Sequence, residues 1–363
     1  MIISLVVVLH YFVIMISFYS FVYKTIRFFI KHIVYIIQKL RNKPKDLEDV
    51  VLVGHKLLDK LMTNNIALIP NIITNKSLNR SIYELEFDNP LTFSSYESNL
   101  DLLSFFYKLG IAGGCYKTMM SNSRLGNQRP RLQEVVINHG DCLINAMGLP
   151  GPGASSAIES ILNSDLLTYK RPLGLSLGGE SSNEYYETFL SYNNAITKMN
   201  YPFYYELNIS CPNTEKGKHL TSNIKLLEEL VKKIRSATKR VISVKVSPDQ
   251  TNQQIQQTAE MLSQFDSIVI NAGNTQFRST LEVGLTKHAI SIGGGGLSGD
   301  ALFKRTNEMV TLLNTFNLPI IATGGISCCS QVNACLDNGA SLVGMATALA
   351  FNPYCIPKIL RQL

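Results

Sequence analysis

The chain lacks paired-cysteine spacing, clustered histidine, and a G-x-G-x-x-G in a first strand-to-helix turn. Its seven cysteines (Cys115, Cys142, Cys211, Cys328, Cys329, Cys335 and Cys355) are odd in number and irregularly placed. That argues against a zinc or disulfide framework and implies free thiols in a reducing compartment. The six histidines are scattered, so no metal is expected. Without the glycine fingerprint a Rossmann cofactor is disfavoured. There is no internal repeat, low-complexity tract or nucleic-acid motif, and no nucleic-acid partner is expected. Charged residues are few, 17% against 45% hydrophobic, which fits a globular core with added membrane character rather than disorder. A chain of 363 residues holds one large α/β barrel plus an extension, or two ordinary domains.

Residues 1–23 contain no Asp, Glu, Lys or Arg. They also lack the basic start and small-residue cleavage site of a signal peptide. At 1.5 Å per residue they are long enough to cross a hydrocarbon core of roughly 30 Å, so a transmembrane helix is expected. A buried core helix is the structural alternative. Lys24, Arg27, Lys31, Lys39, Arg41, Lys43 and Lys45 follow, and they carry much of the net charge of +7. This cluster points to an anionic membrane surface and keeps the remainder on the cytoplasmic or matrix-equivalent side. Over 26–40, Ile26, Phe29, Ile30, Ile33, Ile36, Ile37 and Leu40 share one helical face, with Arg27, Lys31, Gln38 and Arg41 on the other. The pattern is that of an interfacial amphipathic helix; continuation of the first helix into a bundle competes with it. Residues 1–45 thus read as a membrane anchor and 46–81 as a helical extension with a linker. Residues 82–363 read as the catalytic-size domain.

In that domain strand-like apolar runs alternate with helical patterns. The runs are 90–95, 111–117, 172–178, 204–210, 241–247, 267–271, 319–323 and 341–346. Eight strands in βα alternation predict a (β/α)8 TIM barrel, with an open doubly wound sheet as the alternative.

The run Tyr204-Tyr205-Glu206-Leu207-Asn208-Ile209-Ser210-Cys211-Pro212-Asn213-Thr214 alternates as a buried strand and breaks at Cys-Pro. It places a thiol flanked by carboxamides at a strand's carboxyl end, where barrel chemistry collects. An inert buried cysteine is the bland reading. Gly324-Gly325, Ala346-Thr347 and the loop from Gly293 to Gly299 follow late strands, and their backbone N–H groups suit a phosphate. Glycine is also the default turn residue. Lys117 and Lys245 lie in apolar strands, where an ammonium needs an anionic partner; a snorkelling lysine is the alternative. Asn145, Asn208, Asn213 and Asn271 fall at strand ends or in turns. Each alone reads as turn chemistry, but together they suit a planar amide-bearing ring.

These stretches resemble the dihydroorotate dehydrogenase family over roughly residues 88–355. The matching pieces are Asn89-Pro90, Lys117, Gly126-Asn127-Gln128-Arg129-Pro130-Arg131 and Asn145-Ala146-Met147-Gly148-Leu149-Pro150. They continue through Asn208 to Asn213, Lys245, Asn271, Gly295 to Gly299, Thr323-Gly324-Gly325-Ile326 and Thr347-Ala348-Leu349. The resemblance implies FMN in a (β/α)8 barrel and oxidation of dihydroorotate to orotate in pyrimidine biosynthesis. Cys211 would take the C5 proton while hydride passes to flavin N5. Lys117, Asn145, Met147, Gly148, Leu149, Asn208, Asn213 and Asn271 would hold substrate. Ser95, Lys117, Asn208, Lys245, Gly296, Gly324, Gly325, Ala346 and Thr347 would surround FMN. A cysteine base belongs to the family's soluble branch, which uses fumarate or, with a partner subunit, NAD. The membrane-type extension belongs to the quinone branch, and quinone is the acceptor favoured here. Pairing with a second copy is common in the family. Where the family has a small Ala-Ser-Gly turn, this chain reads Ser94-Ser95-Tyr96. Two other functions fit the same residues: a flavin barrel for another pyrimidine, and a membrane-tethered flavin-binding protein without catalysis.

Overall fold

The computed structural model describes residues 2–63, 76–209, 220 and 223–363, with side chains over 14–61, 77–209, 220 and 223–363. All eight expected runs form strands: β3 (Leu91–Phe93), β4 (Gly113–Met119), β7 (Leu173–Leu177), β8 (Phe203–Leu207), β9 (Ile242–Val246), β10 (Ile268–Ala272), β13 (Ile320–Thr323) and β14 (Leu342–Met345). They pair in parallel and close into a barrel in the order β10-β13-β14-β3-β4-β7-β8-β9, so the open-sheet alternative is excluded. Most read as unbroken apolar runs because each strand is covered on both faces, by helices outside and by the barrel interior inside.

The interior is layered, since residues two apart on a strand share a face. The lower layer is apolar: Cys115, Tyr204, Val269, Ile321 and Leu342 pack against Ile82, Leu85 and Phe87. Those last three come from a short hairpin, β1 (Arg80–Ile82) and β2 (Leu85–Phe87), which plugs the amino end of the barrel. One step up stand Glu206, Lys245, Asn271, Thr323 and Gly344, and past a register shift in β4 Thr118 joins them through Ser176 and Asn208. The interior thus turns polar toward the strands' carboxyl ends. That polarity gradient positions the site.

A second sheet has no counterpart in the sequence reading. Strands β5 (Leu132–Ile137), β6 (Gly140–Asn145), β11 (Gln276–Ser279) and β12 (Gly294–Gly299) form an antiparallel sheet in the order β11-β12-β6-β5. The β5–β6 turn uses Asn138 and His139, both at positive φ, which suits a two-residue hairpin. The glycine-rich segment read as a phosphate loop is therefore mostly strand. Glycine is required there by close approach: a Cβ on Gly295 would lie 2.3 Å from the Asn145 carbonyl oxygen, and one on Gly296 2.1 Å from Thr275 Oγ1.

The amino-terminal extension is one continuous helix, α1 (Ile2–Leu40), followed by α2 (Glu48–Thr63). The expected break between a spanning and an interfacial helix is absent. Among the described residues no helix is long and apolar enough to cross a membrane. The side chains of residues 1–13, over half of the expected span, lie outside the described residues; from residue 14 onward polar side chains occupy one face of α1. Asn352 donates to the Ser20 hydroxyl (2.9 Å), Tyr23 donates to the Ala350 carbonyl (3.2 Å), and Lys31 pairs with Glu134 (2.6 Å), as does Arg27. Ile16, Ser20, Tyr23, Arg27, Lys31, Val34 and Gln38 recur every three or four residues, as one helical face must. The opposite face, including Phe18, Phe21, Phe29, Ile33, Ile36, Ile37 and Leu40, is exposed. The helix is amphipathic as expected, but its polar face meets the protein and its apolar face looks outward.

Candidate active site

The polar layer at the carboxyl end of the barrel centres on Glu206 of β8, only 1% exposed. Its Oε1 accepts from Ser95 Oγ at 2.6 Å and from Ser176 Oγ at 3.3 Å, and its Oε2 from Asn271 Nδ2 at 2.7 Å. Lys245 Nζ lies 4.0 Å from Oε1 and donates to Ser95 Oγ at 3.2 Å. A carboxylate and an ammonium are both costly to bury alone, and here each is compensated by the other and by hydrogen bonds. Thr118 bridges Ser176 (2.8 Å) and Asn208, whose Nδ2 donates to Thr118 Oγ1 at 2.9 Å. Asn274 Nδ2 donates to Asn208 Oδ1 at 3.0 Å. The layer thus gathers Ser95, Asn208, Lys245 and Asn271, four residues that the sequence singles out.

Among the described residues, three buried polar atoms in this region have no hydrogen-bond partner: Ser94 Oγ, Asn271 Oδ1 and Thr323 Oγ1. Unsatisfied buried groups are costly, so a cluster of them at a strand-end site marks a place for a polar ligand. Ser94 and Thr323 flank Gly344, where a Cβ would lie 2.3 Å from Thr323 Oγ1 and 2.9 Å from Ser94 Oγ. Only glycine leaves that space open.

Beside this layer lies a second charged group, shared with α2. Lys117 of β4 is largely buried, and its backbone N–H donates to the Glu97 carbonyl at 3.0 Å. Burial lowers the Lys117 pKa, with the charge of Arg131 acting the same way and Glu97 and Glu48 opposing. Arg131 holds Glu48 through Nε and Nη2, both at 2.7 Å. Arg129 reaches Asp46 at 2.6 Å and Asp49 at 2.7 Å. His55 Nε2 lies 3.2 Å from Glu97 Oε2. Burial pushes the His55 pKa down, but the hydrogen bond and charge of Glu97 outweigh it and leave the imidazole raised. The start of the barrel-mouth loops is therefore clamped to α2 by ion pairs.

The remaining expected residues fall on the rim. Asn145 ends β6 opposite Gly296 of β12, and its Nδ2 donates to the Gly296 carbonyl at 3.2 Å. The Met147 carbonyl accepts from Asn127 N at 3.0 Å, and Gly148 and Leu149 both take positive φ, so a tight turn follows. Gly324 and Gly325 also have positive φ and abut Leu302 and Phe303. Ala346 precedes a short helix (Thr347–Phe351), and Thr347 Oγ1 donates to Ser298 Oγ at 2.9 Å. Tyr96 packs with the main apolar core, and its pKa is raised by burial and by nearby Glu97, Tyr23 and Cys355. Cys211, Asn213 and the segment 214–219 lie outside the described residues.

Glu206, Ser176, Thr118, Asn274, Ser94 and Thr323 are absent from the sequence-derived set. Glu206 carried a readable signal, a charged residue inside an apolar strand, the same criterion that flagged Lys117 and Lys245. The hydroxyls carried none, because serine and threonine are common in strands and turns.

The family model described as dihydroorotate dehydrogenase matches residues 77–363. The catalytic subunit of dihydroorotate dehydrogenase B (NAD(+)) of Anoxybacillus flavithermus is 30% identical over 261 residues, covering 71% of this chain and 80% of that protein. The Bacillus mycoides protein of the same description is 29% identical, covering 71% and 81%. Among solved structures, a DHODH of Eimeria tenella in complex with ferulenol superposes with TM-score 0.71 at 18% identity, covering 86% of this chain and 90% of that one. The ligand-free structure from the same organism gives TM-score 0.71 at 19% identity, covering 85% and 92%. The chain belongs to the dihydroorotate dehydrogenase family.

Proposed function

We propose that this protein oxidises dihydroorotate to orotate with FMN as its cofactor and Cys211 as the base. The observation that carries this reading is the polar barrel layer, in which Asn271, Thr323 and Ser94 present buried unpartnered atoms beside Lys245. A cofactor with many polar atoms would satisfy Ser94 and Thr323, with the glycine at 344 leaving room beside them, and Asn271 Oδ1 is left for the substrate. Ser95, Asn208, Lys245, Gly296, Gly324, Gly325, Ala346 and Thr347 would hold FMN. When bound it would supply the two-electron acceptor that the oxidation requires.

The chain's own residues do the rest. Asn145, Asn208, Asn213 and Asn271, with Lys117 and the turn Met147-Gly148-Leu149, bind and orient the planar substrate. Cys211, as thiolate, would take the proton from C5, and with loss of a hydride from C6 to the bound two-electron acceptor the C5–C6 bond becomes double. An ordinary thiol titrates near 8.5, so the base works best above neutral pH unless its surroundings lower that value. Lys245 holds positive charge beside the place where negative charge develops.

The acceptor we favour is quinone, reached from the face of α1 and α2. Support comes from the outward apolar face of α1, joined by Leu52, Val53 and Leu57 of α2, and from exposed Lys24, Lys39, Arg41, Lys43 and Lys45. Such a face docks on an anionic lipid surface. The NAD(+) type of the curated relatives favours a second reading, transfer to NAD through a partner subunit.

The test is anaerobic mixing of the purified holoprotein with dihydroorotate, followed by flavin absorbance. Bleaching that is lost in Cys211→Ala supports the reading. A flavin band that dihydroorotate leaves unchanged overturns it. The reduced sample, offered quinone, NAD and fumarate in turn, identifies the acceptor by which one restores the band.

A further inference from the structure

An ionised carboxylate only accepts hydrogen bonds, so it dictates which way its neighbours face. Glu206 acts in that way here: buried in the polar layer beside Lys245, it accepts from Ser95, Ser176 and Asn271. Asn271 must turn its amide nitrogen to Oε2, which leaves its Oδ1 buried and without a partner among the described residues. Ser95 gives its one proton to Oε1 and keeps a lone pair for Lys245. Ser176 likewise donates to Oε1, so the proton in the Thr118–Ser176 contact comes from Thr118. Thr118 then accepts from Asn208 Nδ2, and Asn208 Oδ1 accepts from Asn274. One carboxylate thus orders the donors and acceptors of two site asparagines along two arms.

We infer that Glu206 is a positioning residue that sets the hydrogen-bond polarity of the site. It presents Asn271 as an acceptor, so the site reads a ligand through an N–H of a cyclic amide. This rests on the proposed orotate site and extends it to how the ring is recognised. A neutral amide at 206 has a donor end of its own, releases Asn271 to rotate, and erases the preference.

The experiment is equilibrium titration of the oxidised holoprotein with orotate, read by perturbation of the flavin spectrum, for wild type and Glu206→Gln. The two ring-N-methylated orotates are titrated in parallel. Wild type is expected to bind orotate in preference to at least one N-methylated form. In Glu206→Gln orotate affinity is expected to fall about tenfold, the scale of one buried hydrogen bond, while the disfavoured analogue changes little. Thr118→Val, which cuts the arm to Asn208, is expected to weaken orotate binding in the same direction, and it carries the test should Glu206→Gln not fold. Equal loss for orotate and analogue marks a merely structural role and overturns the proposal. Unchanged binding in both variants overturns it as well and leaves the orotate site standing. Failure of wild type to bind orotate overturns the proposed function itself.

Discussion

At the scale of single residues, two side chains give direct tests. Lys245→Met removes the ammonium beside Glu206 and leaves a buried carboxylate short of compensation. FMN affinity of the stripped protein, followed by quenching of flavin fluorescence, is expected to weaken about tenfold or more, the cost of a lost charge-assisted contact. The His55–Glu97 pair gives a pH signature. The raised His55 contributes stability that is present below about pH 6.5 and fades as pH rises through its higher folded value. For Glu97 burial raises the pKa, but the His55 bond and charge and backbone donors outweigh it and leave the carboxyl lowered. Its contribution is present above about pH 4.3 and fades as pH falls through the lower folded value. Docking of α2 is therefore expected to be firmest in mildly acidic solution. Protection factors of the α2 amides, with the intrinsic pH dependence of exchange divided out, should be lower at pH 9 than at pH 5.5, and His55→Ala should remove most of that difference.

At the scale of elements, α1 and α2 carry the clearest consequences. Arg131 is 8% exposed, pairs with Glu48, and donates to the carbonyls of Leu125 and Asn127. Arg131→Met leaves Glu48 and both carbonyls without that donor, a loss of about 3 kcal/mol in urea-unfolding free energy. The outer face of α1 predicts binding to vesicles containing anionic lipid. Replacing Phe21 and Phe29 together by Glu should abolish co-flotation and leave the thermal midpoint within a few degrees, because both rings are exposed. Retained flotation would assign that face another partner. The barrel strands were legible because each is a continuous apolar run bounded by turn residues. Strand β12 was not. A run of glycines carries no side-chain period, and it becomes a strand only because β6 and β11 lie against both of its edges.

At the scale of the whole molecule, the barrel sets one apolar interior end against one polar end, and the plug at β1 and β2 closes the apolar one. Ligand access is thereby directed to the carboxyl ends of the strands, where α2 is clamped by Arg129 and Arg131. If quinone is the acceptor, the wild type should reoxidise faster with a membrane-soluble quinone in vesicles than in detergent-free solution, measured by stopped-flow return of the flavin band. The Phe21 and Phe29 double variant should lose that advantage and keep its reduction by dihydroorotate. Equal rates with and without vesicles would instead favour a soluble acceptor.

Composition and local order were enough to determine the eight barrel strands, the family motifs, and an amphipathic amino-terminal helix, because each rests on side chains near one another in the chain. Lys245, Asn208 and Asn271 were recognisable for the same reason: each stands at a definite place on its own strand. Three things were left to the tertiary structure. Tyr96 packs against the main apolar core, whose members Ile16, Tyr354 and Cys355 come from opposite ends of the chain. The apolar face of α1 looks outward because Ala350, Asn352 and Glu134 claim its polar face. Glu206 acquires its meaning only when closure of the barrel brings Ser95, Ser176, Lys245 and Asn271 around it, from strands that are neighbours in space and distant in sequence.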